Sequence, residues 1–150
     1  MSTKELGDLG ERLACEYLVK KGYNILDKNY RISFGEIDII ARKKFKLFGK
    51  NDKVIHFVEV KTILQTIPKN GRPSILGNSN SRSEPVEGFF PEEKVDYKKQ
   101  RKLRQMAEIW LGKNKFKQNY PYQIDVVGIL INENIRNAKL HYFSNVVSGN

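Results

Sequence analysis

The chain has 150 residues, with 27 Lys and Arg against 17 Asp and Glu, a net charge of +10 and a pI near 9.7. This length favours one domain with a single core. The positive charge suits a polyanionic partner such as nucleic acid, although an anionic membrane or a merely basic surface would also fit. One Cys and two His exclude an internal disulfide and leave no ligand set for structural zinc or a redox metal, so a catalytic metal would be a hard cation held by carboxylates. The charged, interrupted start of the chain predicts neither a signal peptide nor a membrane span, and we expect a cytoplasmic protein.

The first predicted element is a helix from Lys4 to Lys21, in which apolar residues recur at helical spacing. The Ser and Thr at its start are expected to cap it, and Gly22 is expected to end it. Gly7 and Gly10 lie inside the helix, where each costs up to about 1 kcal/mol relative to Ala. Their presence suggests that another backbone or a ligand approaches this helix closely.

Extended segments follow the helix and predict hairpin-linked strands. They are Tyr23–Leu26, Tyr30–Phe34, Glu36–Arg42 and Val54–Ile63. Because side chains alternate along a strand, the third segment is expected to place two carboxylates on one face, and the fourth an acid and a lysine. These pairs are Glu36 with Asp38, opposite Ile37 and Ile39, and Glu59 with Lys61, opposite Val58 and Val60.

The stretch Gln65–Phe90 is rich in Gly, Pro, Ser and Asn and contains few apolar residues, so we expect a mobile loop. This loop is either a disordered insertion without function or a lid that grips the substrate. A second helix is predicted from Pro91 to Leu111, with Gly112 as its stop. Its buried stripe is expected to consist of Val95, Leu103, Met106, Ala107 and Trp110.

Two more strands, Tyr122–Ile131 and Lys139–Phe143, complete the predicted elements. Runs of strands interrupted by a helix favour an α/β architecture. The expected fold is therefore a mixed central β-sheet with α-helices packed on it.

Three acid-x-Lys triplets occur in the chain, and their contexts separate them. Glu92–Lys94 and Asp96–Lys98 open the polar second helix, whereas Glu59–Lys61 lies within the apolar run Val54–Lys61. Burying a carboxylate and an ammonium in a strand is unfavourable unless each has a partner, and acids on a neighbouring strand add like-charge repulsion. The buried triplet Glu59–Lys61 therefore needs a group that compensates its charges.

A shared cation would provide this compensation. If the two acidic strands pair, they lie about 4.8 Å apart, so Asp38 and Glu59 could converge on one ion while Lys61 stands beside it. Mg²⁺ or Mn²⁺ held there would activate a water for phosphodiester hydrolysis, and the ammonium would orient that water or offset the growing negative charge. The alternative is a structural ion pair between Lys61 and either acid at a sheet edge.

Several segments of the chain occur together in a recognisable order. They are Gly10–Ala14, Asn29–Arg31, Gly35–Ala41, Phe57–Lys61 and Ile124–Val127. Together they resemble the bacterial YraN-like family of uncharacterised proteins, which in turn resembles the restriction-endonuclease-like, PD-(D/E)xK nuclease superfamily near the archaeal Holliday-junction resolvases. The resemblance implies a single nuclease-like domain over residues 1–150, a divalent metal at the acidic strand ends, and DNA as substrate, with branched DNA as one candidate.

The resemblance also implies roles for particular residues. Asp38, Glu59 and Lys61 match the superfamily's core motif and are the implied catalytic residues. Glu11 matches an acid on the first helix that related resolvases bring to the metal, so the implied metal ligands are Asp38, Glu59 and Glu11. On the chain's own pattern, Glu11 lies at the margin of the apolar stripe, where an ordinary solvated Glu would also lie.

Residues around this motif carry further expectations. Glu36 is either an outer ligand of the metal or a carboxylate that binds backbone amides of the adjacent turn. Lys99 and Lys102 match basic family positions on the second helix and, with Arg31, are the predicted contacts to nucleic-acid phosphates. A solvated helix face explains the two lysines equally well.

Two polar residues lie in predicted strands outside this motif. His56 points to the strand face opposite Glu59 and is expected to be packed or edge-exposed rather than catalytic. Asp125 is expected to serve turn or helix contacts, or to support the site indirectly.

The sequence thus favours a metal-dependent DNA endonuclease that holds the sugar-phosphate backbone without reading base sequence. One alternative is a nucleic-acid-binding module that keeps the fold without cleavage, and another is a basic accessory protein whose strand acids are purely structural. By analogy, a homodimer would suit branched DNA, because such DNA offers two equivalent cleavage points.

Overall fold

A computed structural model describes residues 1–45, 47, 52–66, 74–76, 97–132 and 137–147. The chain forms helix α1 (Thr3–Lys20), strands β1 (Tyr23–Ile32), β2 (Gly35–Lys43), β3 (Ile55–Thr66) and β4 (Ser74–Leu76), helix α2 (Tyr97–Lys113), and strands β5 (Tyr122–Asn132) and β6 (Asn137–Val147). This is the predicted order of a helix, a group of strands, a second helix and two final strands. Part of the predicted loop 65–90 is strand instead, because residues 65–66 extend β3 and residues 74–76 form β4; the rest of it lies outside the described residues.

The strands form one mixed sheet in the order β1-β2-β3-β5-β6, and β4 also pairs with β3. Strands β3 and β5 are parallel along the whole ladder from residue 55 to residue 65 of β3, whereas β2 and β4 are antiparallel to β3. A strand has two edges, so β2 and β4 share the edge of β3 that β5 does not use. The predicted α/β fold, a mixed sheet flanked by helices, is confirmed and is consistent with a restriction-endonuclease-like architecture.

Alternate residues of the central strands face two separate cores. Phe57 lies in the core that contains the buried residues of α2, and its neighbour Val58 lies in the core that contains those of α1. In β5, Val126 and Val127 divide between the same two cores. Because successive side chains of a strand point to opposite faces, the two helices cover opposite faces of the sheet.

Helix α1 begins and ends where its sequence predicts. Ser2 is its N-cap in a capping box: Glu5 N–H donates to Ser2 Oγ at 3.2 Å, and Ser2 N–H donates to a Glu5 carboxylate oxygen at 2.7 Å. Gly22 follows the helix with φ +84°, a left-handed conformation that suits glycine. Gly10 is buried against Thr62 of β3, so the predicted close approach is confirmed there. At Gly7, an added Cβ would have no atom of the described residues within 4 Å apart from its own helix. In the described ranges, neither helix has a stretch long and apolar enough to cross a membrane.

Helix α2 extends two residues beyond its predicted end at Leu111. Lys115, with φ +60°, takes the left-handed position that Gly112 was expected to take. Phe116 N–H donates to Leu111 O at 3.0 Å and Lys115 N–H to Gly112 O at 3.1 Å, which is the hydrogen-bond pattern of a Schellman motif. Phe116 then stacks on Trp110, with 5.7 Å between ring centroids, and this contact favours the later end. The predicted buried stripe is confirmed for Leu103, Met106, Ala107 and Trp110, and Val95 lies outside the described residues.

The edge of the sheet next to the first hairpin differs from the prediction. The two segments predicted at the start of the sheet form one strand, β1, with an irregular register between Ile25 and Asp27, and Phe34 lies in the following turn. Ile37 joins the α2 core while Ile39 joins the α1 core, so the prediction that they share a face is wrong. The ladder between β2 and β3 ends at Ile39, so Ile37 lies on a part of β2 that pairs with β1 but not with β3.

Candidate active site

The candidate site lies where strands β2 and β3 stop pairing. Their antiparallel ladder runs from Arg42 opposite Ile55 to Ile39 opposite Val58, so the next pair in this register would be Asp38 opposite Glu59. At this position a side-chain hydrogen bond takes the place of the next backbone hydrogen bond between the strands. Val60 N–H donates to Asp38 Oδ2 at 2.6 Å. The backbone group that β2 leaves unpaired is thus satisfied by the carboxylate of β2.

An open cleft of about 500 Å³ occupies this point and is bounded by α2. Its lining combines the two strand acids, the first hairpin turn and one face of the helix: Phe34, Gly35, Glu36, Asp38, Glu59, Lys98, Lys99, Lys102, Leu103 and Met106. Asp38 is only 8% exposed and Glu59 only 7%. Two buried carboxylates from neighbouring strands therefore meet in one cleft that is open to solvent.

Two lysines neutralise one oxygen of Glu59. Lys61 Nζ donates to Glu59 Oε1 at 2.7 Å, and Lys99 Nζ from α2 donates to the same oxygen. Both lysine side chains are about one-third exposed, at 34% and 35%. The predicted ion pair of Glu59 with Lys61 is present, and it lies between the last residue of β3 that pairs with β2, Val58, and the first that pairs with β4, Leu64.

Burial and neighbouring charges shift the pKa values of three side chains in the site. Burial raises the pKa of Asp38, and the negative charge of Glu59 raises it further, to about 7. Burial also lowers the pKa of Lys99, and the neighbouring ammonium of Lys61 adds to this effect. For Lys61, burial opposes the charged form, but the carboxylate of Glu59 outweighs it and the pKa is raised. The site therefore resists a full negative charge on Asp38 while it keeps Lys61 charged.

The structure brings Asp38, Glu59 and Lys61 together, as the motif predicts. Glu11 lies near enough for its charge to help raise the pKa of Asp38. However, among the residues that the structure describes, no three Asp, Glu, His or Cys side chains form a group that could hold a metal ion. The role of Glu11 as a third ligand thus stays a prediction.

The flanking residues take positions that the sequence predicts only in part. Glu36 lines the cleft and forms an ion pair with Arg31, with 2.6 Å between Arg31 Nε and Glu36 Oε2. The Arg31 side chain is 70% exposed on β1 and does not line the cleft. Lys102 does line it, and its role as a phosphate contact stays a prediction. Lys99 also lines it, but its contact with Glu59 was not predicted.

A second buried polar cluster lies on the other face of the sheet and was missed. Asp125 is fully buried in β5, where its Oδ2 accepts from His56 Nδ1 at 2.7 Å and from Tyr142 Oη at 2.5 Å. Its Oδ1 accepts from Gln123 Nε2 and from Asn145 N–H, both at 2.7 Å. Burial alone would raise the pKa of Asp125, but these hydrogen bonds outweigh it and lower the pKa, so the carboxylate is charged.

The expectation that Asp125 serves turn or helix contacts is therefore wrong, whereas the expectation that His56 is packed is confirmed. The sequence contains one feature that indicates this buried cluster. Asp125 interrupts an apolar run, Ile124–Ile131, as Glu59 interrupts its own run, and a buried carboxylate requires partners. The partners themselves lie up to 69 residues away in the chain.

Comparison with known proteins identifies the family of this chain. The model of the uncharacterised protein family UPF0102 matches residues 10–129. A UPF0102 protein of Caldicellulosiruptor bescii is 37% identical over 131 residues, which are 87% of each chain. A UPF0102 protein of Clostridioides difficile is 36% identical over 143 residues, which are 95% of this chain and 100% of the relative.

A third relative, from Caldanaerobacter subterraneus subsp. tengcongensis, is 33% identical over 146 residues, which are 97% of this chain and 96% of the relative. These matches confirm the predicted YraN-like family, whereas the resemblance to the nuclease superfamily stays a prediction. On the family match and on relatives that align over almost the whole chain, the protein belongs to the uncharacterised protein family UPF0102.

Proposed function

We propose that this protein is a metal-dependent DNA endonuclease that hydrolyses phosphodiester bonds, with branched DNA as a candidate substrate. The observation that carries the proposal is the meeting of Asp38 and Glu59 in one cleft, at the end of the β2–β3 ladder, with Lys61 bonded to Glu59. Two acids and an amine at this spacing also match the superfamily motif that the sequence resembles. The net charge of +10 favours a nucleic-acid substrate.

The two strand carboxylates suit a hard divalent cation that keeps several waters among its ligands. Asp38 and Glu59 supply carboxylate oxygens, which Mg²⁺ and Mn²⁺ prefer, and Glu11 is the candidate third ligand. Burial raises the pKa of Asp38 and the charge of Glu59 raises it further, and a bound cation would stabilise both carboxylates in their charged form. When bound, such an ion polarises the phosphate and lowers the pKa of a water.

The chain's own groups would perform the remaining tasks. Lys61 keeps its positive charge beside Glu59, so it can orient a water or offset the negative charge that grows on the phosphate. Lys99 and Lys102 line the same cleft from α2 and can hold the sugar-phosphate backbone. Because these are charge contacts rather than base contacts, we expect DNA affinity to fall steeply with salt and to depend little on sequence.

The test is a cleavage assay on branched, single-stranded and duplex DNA with Mg²⁺, with Mn²⁺ and with chelator. The wild-type protein is compared with Asp38→Asn, Lys61→Ala and a matched control, Lys117→Ala, which removes an exposed lysine that does not line the cleft. We expect metal-dependent nicking that both site variants lose and the control keeps. Equal nicking by the wild type and by both site variants would refute the assignment of the site.

A second candidate function is a nucleic-acid-binding module that keeps the fold without cleavage. It is favoured by the contacts of Glu59, one oxygen of which already accepts from Lys61 and Lys99. Two ammonium groups on one carboxylate can replace a metal as the compensating charge. DNA binding without nicking under every metal condition would support this alternative.

For either function, we propose that the protein is cytoplasmic and acts as a monomer or homodimer.

A further inference from the structure

An exposed aromatic ring stands at the mouth of the proposed site. Phe34 lies in the two-residue turn between β1 and β2, and its side chain is 40% exposed although it lines the cleft. Among the exposed large apolar side chains of the described ranges, Phe34 is the one that lines this cleft. An aromatic ring beside cationic groups is the combination on which single-stranded nucleic acid stacks and is held.

The position of the turn is held by close packing. The turn is closed by the pair Ile32 and Gly35, which ends the β1–β2 ladder. A Cβ atom added to Gly35 would lie 2.8 Å from the sulfur of Met106, so the turn and α2 are in close contact at this point. Phe34 is thus carried by a hairpin that is packed on the helix, which limits how far the ring can move away from the cleft.

The cleft lining combines apolar and charged side chains. Phe34, Leu103 and Met106 contribute the apolar lining, and Glu36, Asp38, Glu59, Lys98, Lys99 and Lys102 contribute the charged lining. A nucleotide has the same combination, because its base is flat and apolar on both faces and its phosphate is anionic. A volume of about 500 Å³ lies in the range of pockets that bind small molecules, so the cleft can admit a single nucleotide.

We propose that Phe34 stacks on an unpaired base of the DNA strand whose phosphate lies at the two carboxylates. The substrate class is then DNA with an unpaired or splayed nucleotide, such as a single strand or a branch point, rather than continuous duplex. This inference rests on the proposed function, because it assumes that nucleic acid enters this cleft. Stacking tolerates any base, which agrees with binding that does not depend on sequence.

The inference is tested by DNA binding in the presence of chelator, so that cleavage is not the readout. Wild-type protein is titrated with a single strand, with an abasic strand of the same length and charge, and with duplex. Because a base stacked on an aromatic ring strengthens binding, the base-bearing strand is expected to bind roughly tenfold more tightly than the abasic one. Phe34→Ala is expected to abolish this difference in affinity, whereas Phe34→Trp, which keeps an aromatic ring, is expected to retain it.

Two controls separate stacking from a general loss of structure. Ile109→Ala removes an apolar side chain of similar exposure on α2, outside the cleft lining, and is expected to keep the preference. Phe34→Ala should leave the dependence of affinity on salt unchanged, whereas Lys102→Ala should reduce its slope by about one. A 2-aminopurine base in the strand should lose fluorescence on binding to the wild type and not to Phe34→Ala.

The outcomes also separate this inference from the proposed function. A protein that keeps the Phe34-dependent preference for bases but never nicks DNA supports the stacking role and refutes the nuclease. A protein that nicks DNA but binds base-bearing and abasic strands equally refutes the stacking role alone. Unchanged base preference in Phe34→Ala would likewise overturn it.

Discussion

Val60 N–H donates a hydrogen bond to Asp38, with 2.6 Å between Val60 N and Asp38 Oδ2, at the point where the β2–β3 ladder ends. One carboxylate oxygen thereby continues the hydrogen bonding of the sheet, and the side chain is held at the cleft. The same bond opposes the rise in the pKa of Asp38, but burial and the charge of Glu59 outweigh it. Asp38 therefore satisfies a backbone N–H of β3 while its negative charge is unfavourable, so its ionisation should change the stability of the fold.

We expect the stability of the metal-free protein to fall as Asp38 ionises. Its pKa is about 7 in the folded protein and about 4 in an unfolded chain, so between these values the folded state binds more protons. The free energy of unfolding should then decrease from about pH 4 to pH 7 and level off above, by at most about 4 kcal/mol. Asp38→Asn keeps an oxygen acceptor for Val60 N–H but cannot ionise, so this decrease should disappear.

The measurement is urea unfolding with chelator over this pH range. Asp8→Asn, at an exposed position of α1, is the control and should follow the wild type. Parallel pH profiles for the wild type and Asp38→Asn would contradict the raised pKa of Asp38.

Removing the Lys99 ammonium should strengthen metal binding. Lys99 donates to Glu59, so Lys99→Gln removes a positive charge that competes with a cation for this carboxylate. In a partly exposed site the effect should be about 1 kcal/mol, or roughly fivefold in the affinity for Mn²⁺. Lys98→Gln removes the same charge from the cleft lining and is the control for net charge. Calorimetric titration without DNA is the measurement, and equal affinities for the two variants would contradict the competition.

Gly10→Ala should destabilise the fold because α1 and β3 are in close contact there. An added Cβ would lie 1.7 Å from Thr62 Oγ1 and 2.9 Å from Thr62 Cβ, so the helix or the strand must shift. Overpacking of this kind typically costs about 1 to 3 kcal/mol. Gly7→Ala is the matched control: apart from α1 itself, no atom of the described part of the chain lies within 4 Å of its added Cβ, so it should stabilise α1 by up to about 1 kcal/mol.

Denaturant unfolding of the two glycine variants measures this difference. Thr62→Ala removes the nearest atom, so it should recover part of the loss when it is combined with Gly10→Ala. A Gly10→Ala protein as stable as Gly7→Ala would show that the helix does not approach the strand as described.

Asp125→Asn should cost about 3 kcal/mol at pH 7, because it replaces a buried charge that accepts several hydrogen bonds. The pKa of Asp125 is lowered in the folded protein, so its stabilising contribution is complete above about pH 4, the unfolded value, and is lost as the pH falls through the folded value. The difference from the wild type should therefore shrink in acid. Tyr142→Phe, which removes one donor and keeps the rest, should cost less, about 1 to 2 kcal/mol.

Unfolding curves at pH 7 and pH 3 test this prediction. Tyr97→Phe, which removes a hydroxyl from an exposed ring, is the control and should be neutral. A loss that is the same at both pH values would mean that Asp125 is not charged in the folded protein.

Features that depend on neighbours along the chain were predictable. The capping box of Ser2 and Glu5 needs residues three apart, and the alternation of Val58 and Glu59 needs only the period of a strand. The end of α2 was less predictable, because Gly112 and Lys115 can both end a helix. The packing of Phe116 on Trp110 favours the later residue.

By itself, the sequence determined the order of helices and strands, the two-faced central strands and the candidate trio Asp38, Glu59 and Lys61, because each depends on local periodicity or on a motif. Only the tertiary structure decided that the β2–β3 ladder ends at Asp38, that Lys99 reaches Glu59 from 40 residues away, and that Asp125 meets His56 across parallel strands. These contacts depend on which strands pair, and in which register, and pairing is a property of the whole folded chain.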